Sequence, residues 1–128
     1  MTKDLIVIGA GTFASEIISL VQAVNKKNKC WEIIGLLDDN EELHGSHLFS
    51  KRIIGGFDWI LDSEKELNVV FAIGNTKIVS KMVTRLKNKK NIHFPNVIHP
   101  SVETKHVKIG HGVTIFQGAL LSAESELN

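Results

Sequence analysis

The stretch DLIVIGAGTFASEII, residues 4–18, limits the possible folds of this 128-residue chain more than any other feature. Residues 4–9 form a short, apolar and β-branched run that ends in glycine, which is typical of a strand buried on both faces of a parallel sheet. From Thr12 onward the apolar residues recur at the spacing of one helix face. The sequence therefore predicts that Gly9 and Gly11 lie in a tight turn between a buried strand and a helix.

A glycine turn at the start of a helix is a common phosphate-binding geometry. Glycine lets a ligand approach the backbone, and the helix N-terminus presents unpaired N–H groups at its positive dipole end. Ala14 stands where the third glycine of the dinucleotide fingerprint is often found, and alanine is a tolerated variant there. Two glycines can equally be turn geometry alone, so the pattern by itself leaves phosphate binding and a plain turn evenly matched.

A second predicted strand, within CWEIIGLLDDN at residues 30–40, ends in two carboxylates, Asp38 and Asp39. An acidic residue at the end of this strand accepts hydrogen bonds from ribose hydroxyls or from a base N–H. Solvated turn carboxylates are the commoner outcome for such a pair. Both interpretations stay open from the residues alone.

A third predicted strand, LNVVFAIGN at residues 67–75, ends in Gly74 and Asn75. Strands that alternate with helices indicate an α/β fold with an open, Rossmann-like parallel sheet. Ligands of such sheets bind outside the carboxyl ends of the strands. We therefore expect the glycine turn, the two aspartates and Gly74-Asn75 to converge at one edge.

Two further segments carry lysines or histidines that we assign neither to a binding patch nor to a metal site. Residues 76–90 predict a basic amphipathic helix with Ile78 among its inward positions, and its lysines form a solvated face. Residues 40–52 are polar and predict a loop. Its two histidines, His44 and His47, are a poor metal site, so we interpret them as solvated or substrate-loop residues and predict no metal.

Composition narrows the class of protein. The formal net charge is +1, from 15 Lys and Arg against 14 Asp and Glu, which does not indicate a nucleic-acid or membrane partner. Cys30 is the single cysteine and cannot form an internal disulfide, which fits a reducing compartment. The opening residues have no long apolar stretch, so we predict a cytoplasmic protein.

The periodicity changes after residue 100. Three blocks, VKIGHG, VTIFQG and ALLSAE, begin six residues apart at Val107, Val113 and Ala119. Each block has another aliphatic residue two positions after its first. This pattern predicts a hexapeptide repeat, which is typical of a parallel β-helix, and three blocks make about one coil.

The segments IGAGTFASEI, WEIIGLLDDN, VVFAIGN, VIHPSV and VKIGHGV occur in this order. Together they resemble the bacterial sugar acetyltransferases of the hexapeptide-repeat superfamily, in the branch of sialic acid O-acetyltransferases and glycan-biosynthesis enzymes. The resemblance implies a small Rossmann-like domain that holds a UDP- or CMP-linked sugar. It also implies a left-handed β-helix that binds acetyl-CoA between neighbouring subunits of a homotrimer.

The resemblance assigns residues 1–98 to the nucleotide-sugar-binding domain and residues 99–128 to the first, incomplete coil of the β-helix. Thr12 and Phe13 depart from the glycine and histidine of many relatives, which affects the contacts on the sugar side. The implied substrate-binding residues are Gly9, Gly11, Thr12, Phe13, Asp38, Asp39, Gly74 and Asn75.

The catalytic base of the family is a histidine in a later coil of the β-helix. His106 and His111 lie in the first coil and do not match that position, so we interpret them as surface residues at a β-helix corner. The chain reaches Asn128 before any match to the later coil. We therefore interpret it as truncated, and expect it to be inactive in acetyl transfer on its own.

The sequence is compatible with three functions. The first is the nucleotide-sugar-binding part of an acetyl-CoA-dependent sugar acetyltransferase. The second is a non-enzymatic Rossmann module that senses a nucleotide such as NAD or AMP. The third is an oligomerisation or interaction fragment that makes contact through its β-helix coil. The hexapeptide pattern favours the first over the second.

Overall fold

The computed structural model of the chain describes residues 2–102 and the strand segments 108–109, 114–115 and 126–127. Within these residues the chain forms three helices, one 3₁₀ turn at Glu41–Leu43 and ten short strands. The helices are α1 (Thr12–Lys27), α2 (Phe57–Leu61) and α3 (Thr76–Leu86). The strands are β1 (Lys3–Ile8), β2 (Trp31–Leu37), β3 (His47–Leu48), β4 (Lys51–Gly55), β5 (Leu67–Phe71), β6 (Ile92–His93), β7 (Val97–Ile98), β8 (Lys108–Ile109), β9 (Thr114–Ile115) and β10 (Glu126–Leu127).

Six strands form one sheet in the order β3-β4-β2-β1-β5-β6, and all neighbours are parallel except β3 and β4. The chain builds outward from β1 through α1 to β2, and later crosses to the other side of β1 to form β5. The strand order therefore reverses between β1 and β5, which is the point where open α/β sheets bind their ligands. The predicted α/β fold with a Rossmann-like parallel sheet is confirmed.

The two faces of the sheet explain why β1 is apolar throughout its length. Leu5 and Val7 are fully buried in a cluster with the inner face of α1. Ile6 and Ile8 point the opposite way and are buried with residues of α2 and α3. Successive side chains of a strand alternate between faces, so a strand covered on both faces needs an apolar residue at each position.

Residues 40–52 contain more structure than the predicted loop. They form the 3₁₀ turn and a β3–β4 hairpin, whose two-residue connection is Phe49-Ser50. Both connecting residues have positive φ, 48° and 67°. Tight hairpin turns of this kind prefer Asn-Gly, so the pair Phe-Ser gives no turn signal in the sequence.

Ser50→Gly is expected to stabilise the chain by about 0.5–1 kcal/mol. A left-handed conformation costs a non-glycine residue roughly 1–2 kcal/mol, while added backbone freedom in the unfolded chain offsets about 0.4–1 kcal/mol of the gain. Chemical denaturation measures the difference. Ser50→Ala is the matched control, because alanine also lacks the hydroxyl but keeps the Cβ atom that causes the strain. Equal stability of both variants would contradict the explanation.

The short strand β7 packs against the sheet domain. Val97 is 1% exposed and packs in the same cluster as α1. β7 also pairs in parallel with β9, and β8 pairs in parallel with β10. Most of the predicted hexapeptide blocks, together with His106 and His111, lie outside the described residues. The β-helix and the domain boundary at residue 98 therefore stay predictions. No helix among the described residues is long and apolar enough to span a membrane.

Candidate functional site

A cleft of about 200 Å³ opens at the carboxyl edge of the sheet. It lies where β1, β2 and β5 end and where α2 and α3 begin, on the sheet face opposite α1. The lining combines two carboxylates and one glycine with six apolar side chains. These residues are Ile8, Gly9, Leu37, Asp38, Asp39, Phe57, Ile73, Ile78 and Met82.

Gly9 fixes the turn that follows β1. Its φ is +111°, and a Cβ atom at this position would lie 2.6 Å from the carbonyl oxygen of Ala72. The Gly9 N–H donates to the carbonyl of Leu37 at 2.6 Å. The turn is therefore held between the ends of β2 and β5, and only a residue without a side chain fits at that distance.

Asp38 connects the glycine turn to the end of β2. Its Oδ2 accepts from the N–H of Ala10 and its Oδ1 accepts from the N–H of Asn40, each at 2.9 Å. Its backbone carbonyl accepts from Nε2 of His44 at 2.6 Å. His44 thus fixes the loop after β2 through this hydrogen bond. The sequence predicted only a solvated or substrate-loop histidine at this position.

Asp39 is bound to the start of α2 through one oxygen. Its Oδ1 accepts from the N–H of Phe57 at 2.8 Å, and a Cβ atom on Gly56 would lie 2.7 Å from the same oxygen. Within residues 2–102 no protein donor reaches Oδ2 of this exposed carboxylate. Asp39 therefore keeps one acceptor oxygen for a ligand.

The three helices differ in how their N-termini are satisfied. Asn75 caps α3, because its Oδ1 accepts from the N–H groups of Lys77 and Ile78 at 3.0 and 3.2 Å. Asp39 accepts from the first N–H of α2. The N-cap of α1 is Gly11, which has no side chain and no acidic residue in the following turn. Nothing lies within 4 Å of the space that a Cβ atom of Gly11 would take. Among the helices that the structure describes, the start of α1 is therefore the one most open to an anion.

The predicted site residues divide into two sets. Gly9, Asp38 and Asp39 line the cleft together. The other predicted residues do not line it. Gly11 is the N-cap of α1, and the helix begins with Thr12 and Phe13. The turn before α3 contains Gly74 and Asn75.

Sequence reasoning missed the apolar wall of the cleft. Phe57 comes directly after the Gly55-Gly56 turn, and that turn is the feature of the sequence that could have indicated a site residue here. Ile78 was predicted to face inward, but it is 44% exposed at the cleft, and Leu86 is the only fully buried residue of α3. Within the described residues there is no group of three or more side chains suited to hold a metal ion.

The chain belongs to the PglD N-terminal domain family, whose family model matches residues 4–86. The predicted resemblance to bacterial sugar acetyltransferases is thereby confirmed at the level of the family. No curated protein matches the sequence.

Two solved structures share the fold of the chain. The acetyltransferase domain of PglB from Neisseria gonorrhoeae FA1090, in complex with acetyl coenzyme A, is 26% identical with a TM-score of 0.81, and the match covers 99% of this chain and 59% of that chain. PerB from Caulobacter crescentus, in complex with CoA and GDP-perosamine, is 20% identical with a TM-score of 0.74, and the match covers 96% and 56% respectively. This chain thus spans little more than half the length of either structure.

Proposed function

We propose that the cleft and the adjoining glycine turn bind a nucleotide-linked sugar, which is the acceptor in an acetyl-CoA-dependent acetyl transfer. The observation that carries this proposal is the combination of an apolar cleft, an open carboxylate oxygen on Asp39 and the uncapped start of α1. A nucleotide-linked sugar needs an apolar surface for its flat base, an acceptor for its ribose or base N–H, and free N–H groups for its diphosphate. Family membership supports the proposal, and PerB was solved with a nucleotide sugar, GDP-perosamine.

Each part of the site has a distinct role in this proposal. The exposed N–H groups at Gly11 and Thr12 bind phosphate oxygens, helped by the dipole of α1. Asp39 accepts from a base N–H or a ribose hydroxyl, and the apolar wall packs against the base. The full proposed set keeps the residues predicted from the sequence, namely Gly9, Gly11, Thr12, Phe13, Asp38, Asp39, Gly74 and Asn75.

The reaction that this site serves is acyl transfer. The amine or hydroxyl of the bound sugar attacks the thioester of acetyl-CoA, a base takes the proton of the attacking atom, and CoA leaves as the thiol. We propose that the segment after β7 contributes to a β-helix that binds acetyl-CoA in a trimer. The parallel pairing of Lys108 with Glu126 supports this, because the partners are separated by three hexapeptides, about one coil.

Titration calorimetry tests the binding step. The chain is expected to bind at least one of a UDP-, a CMP- and a GDP-linked sugar. Asp39→Asn is expected to lower that affinity by about tenfold or more, because a hydrogen bond to a charged group contributes about 1.5–3 kcal/mol. Asp62→Asn is the matched control, since Asp62 is an exposed carboxylate at the far end of α2. Binding of NAD without response to any nucleotide sugar would favour a nucleotide-sensing module instead.

A further inference from the structure

Neighbouring carboxylates at the end of β2 have different hydrogen-bonding environments. We propose that Asp38 is a positioning residue that holds the glycine turn in its ligand-binding shape, and that Asp39 alone presents a carboxylate to the ligand. This inference rests on the proposed function and divides the roles of two residues that the family resemblance assigns together.

Every polar group of Asp38 already has a partner within the protein. Its two side-chain oxygens accept from Ala10 and Asn40, and its carbonyl accepts from His44. Its own N–H donates to the carbonyl of Gly55 at 2.9 Å. Each oxygen of this carboxylate therefore already accepts one backbone hydrogen bond, whereas Oδ2 of Asp39 accepts none within residues 2–102. Asp38 is also half-buried, whereas Asp39 is exposed.

The bond between Asp38 and Ala10 also determines where a phosphate can lie. The N–H of Ala10 is occupied by a carboxylate, so this donor is withdrawn from the ligand, and the negative charge disfavours a phosphate beside it. The next residues are different. Gly11 and Thr12 are exposed, and neither N–H has an acceptor among the described residues. Asp38 thus directs the phosphates away from Ala10 and toward the start of α1.

Comparison of Asp38→Asn with Asp39→Asn tests this division of roles. Asparagine at position 38 offers one oxygen where two N–H groups need two, so either Ala10 or Asn40 loses its acceptor. Asparagine at position 39 keeps the oxygen that Phe57 needs and replaces the open one by an NH₂ group. The probes are UDP and GDP, the matching nucleosides, and amide hydrogen exchange of the ligand-free chain, with Asp62→Asn as control.

Asp38→Asn is expected to speed amide exchange at Ala10 or Asn40 and to weaken binding of the diphosphate about tenfold, while nucleoside binding stays unchanged. Asp39→Asn is expected to leave exchange at Ala10 unchanged and to weaken nucleoside and diphosphate alike. If Asp38→Asn instead weakens the nucleoside as much as the diphosphate, with unchanged exchange, Asp38 contacts the ligand and the inference is wrong.

A measurement on the wild-type chain covers the case in which Asp38→Asn does not fold. On saturation with UDP or GDP, the side-chain carboxyl ¹³C resonance of Asp39 is expected to shift, and that of Asp38 to stay in place. A large shift at Asp38 alone would overturn the assignment. If the wild-type chain binds no nucleotide or nucleotide sugar, the proposed function itself fails. If it binds but the two aspartates respond alike, only the division of roles fails.

Discussion

Gly9→Ala is expected to lower the free energy of unfolding by about 2–6 kcal/mol. The backbone at this position has a φ of +111°, a region that costs a residue with a side chain about 1–3 kcal/mol. The new methyl group would also lie 2.6 Å from the Ala72 carbonyl oxygen. That oxygen belongs to the backbone just after β5, so it cannot move without displacing the strand. Such overpacking costs a further amount of about 1–3 kcal/mol.

The control for this substitution is Gly11→Ala, two residues away in the same turn. Gly11 has a φ of −86° and empty space where a Cβ atom would stand. Its replacement is expected to cost about 1 kcal/mol or less, mainly because alanine is a poorer N-cap than glycine. Urea denaturation of both variants gives the comparison. Similar losses for the two would show that close approach to β5 does not explain the requirement at Gly9.

The pair of glycines also shows what the sequence could predict. A strand buried on both faces, a change to helical spacing and two intervening glycines are local patterns, so β1, α1 and the turn between them were predictable from about fifteen residues. The different tasks of the two glycines were not predictable. Only the position of Ala72, which directly follows a strand formed about sixty residues later, makes one of them tight and leaves the other open.

The different roles of the two aspartates could not be predicted from the sequence for the same reason. Asp38 and Asp39 are adjacent and chemically identical, and the sequence predicted one role for both. Apart from the local bond between Asp38 and Asn40, their side-chain partners are 28 and 18 residues away, at Ala10 and Phe57. No local pattern carries this information, because it depends on how β1 and α2 pack beside the end of β2.

The apolar wall of the cleft also depends on tertiary packing and was not predictable from the sequence. It joins Phe57 of α2, Ile78 of α3 and Ile73 of the loop between β5 and α3. These residues meet only because α2 and α3 cover the same face of the sheet. The helix pattern of α3 was recognised in the sequence, but a face that is apolar can border a cleft as well as a core. Tertiary packing, rather than periodicity, decides between these two outcomes.

Phe57→Ala is expected to destabilise the chain by about 3–5 kcal/mol, the usual cost of removing a buried aromatic side chain. Phe57 is only 5% exposed, and its ring packs in the α2 and α3 cluster below the cleft. The guanidinium carbon of Arg85 lies 5.1 Å from the ring centroid, so a cation–π contact is lost as well. Thermal and urea denaturation measure the change.

Phe57→Leu separates these contributions, because leucine keeps much of the apolar volume and removes the aromatic ring. It is expected to cost about 1–2 kcal/mol, from incomplete filling of the site and loss of the contact with Arg85. Both variants retain the backbone N–H that binds Asp39, so their effect on ligand affinity reports the shape of the cleft rather than the position of the carboxylate. The enlarged cleft of the alanine variant is therefore expected to bind a nucleotide sugar more weakly than that of the leucine variant. Equal affinities for both variants would show that the ring of Phe57 supports the fold without bordering the bound base.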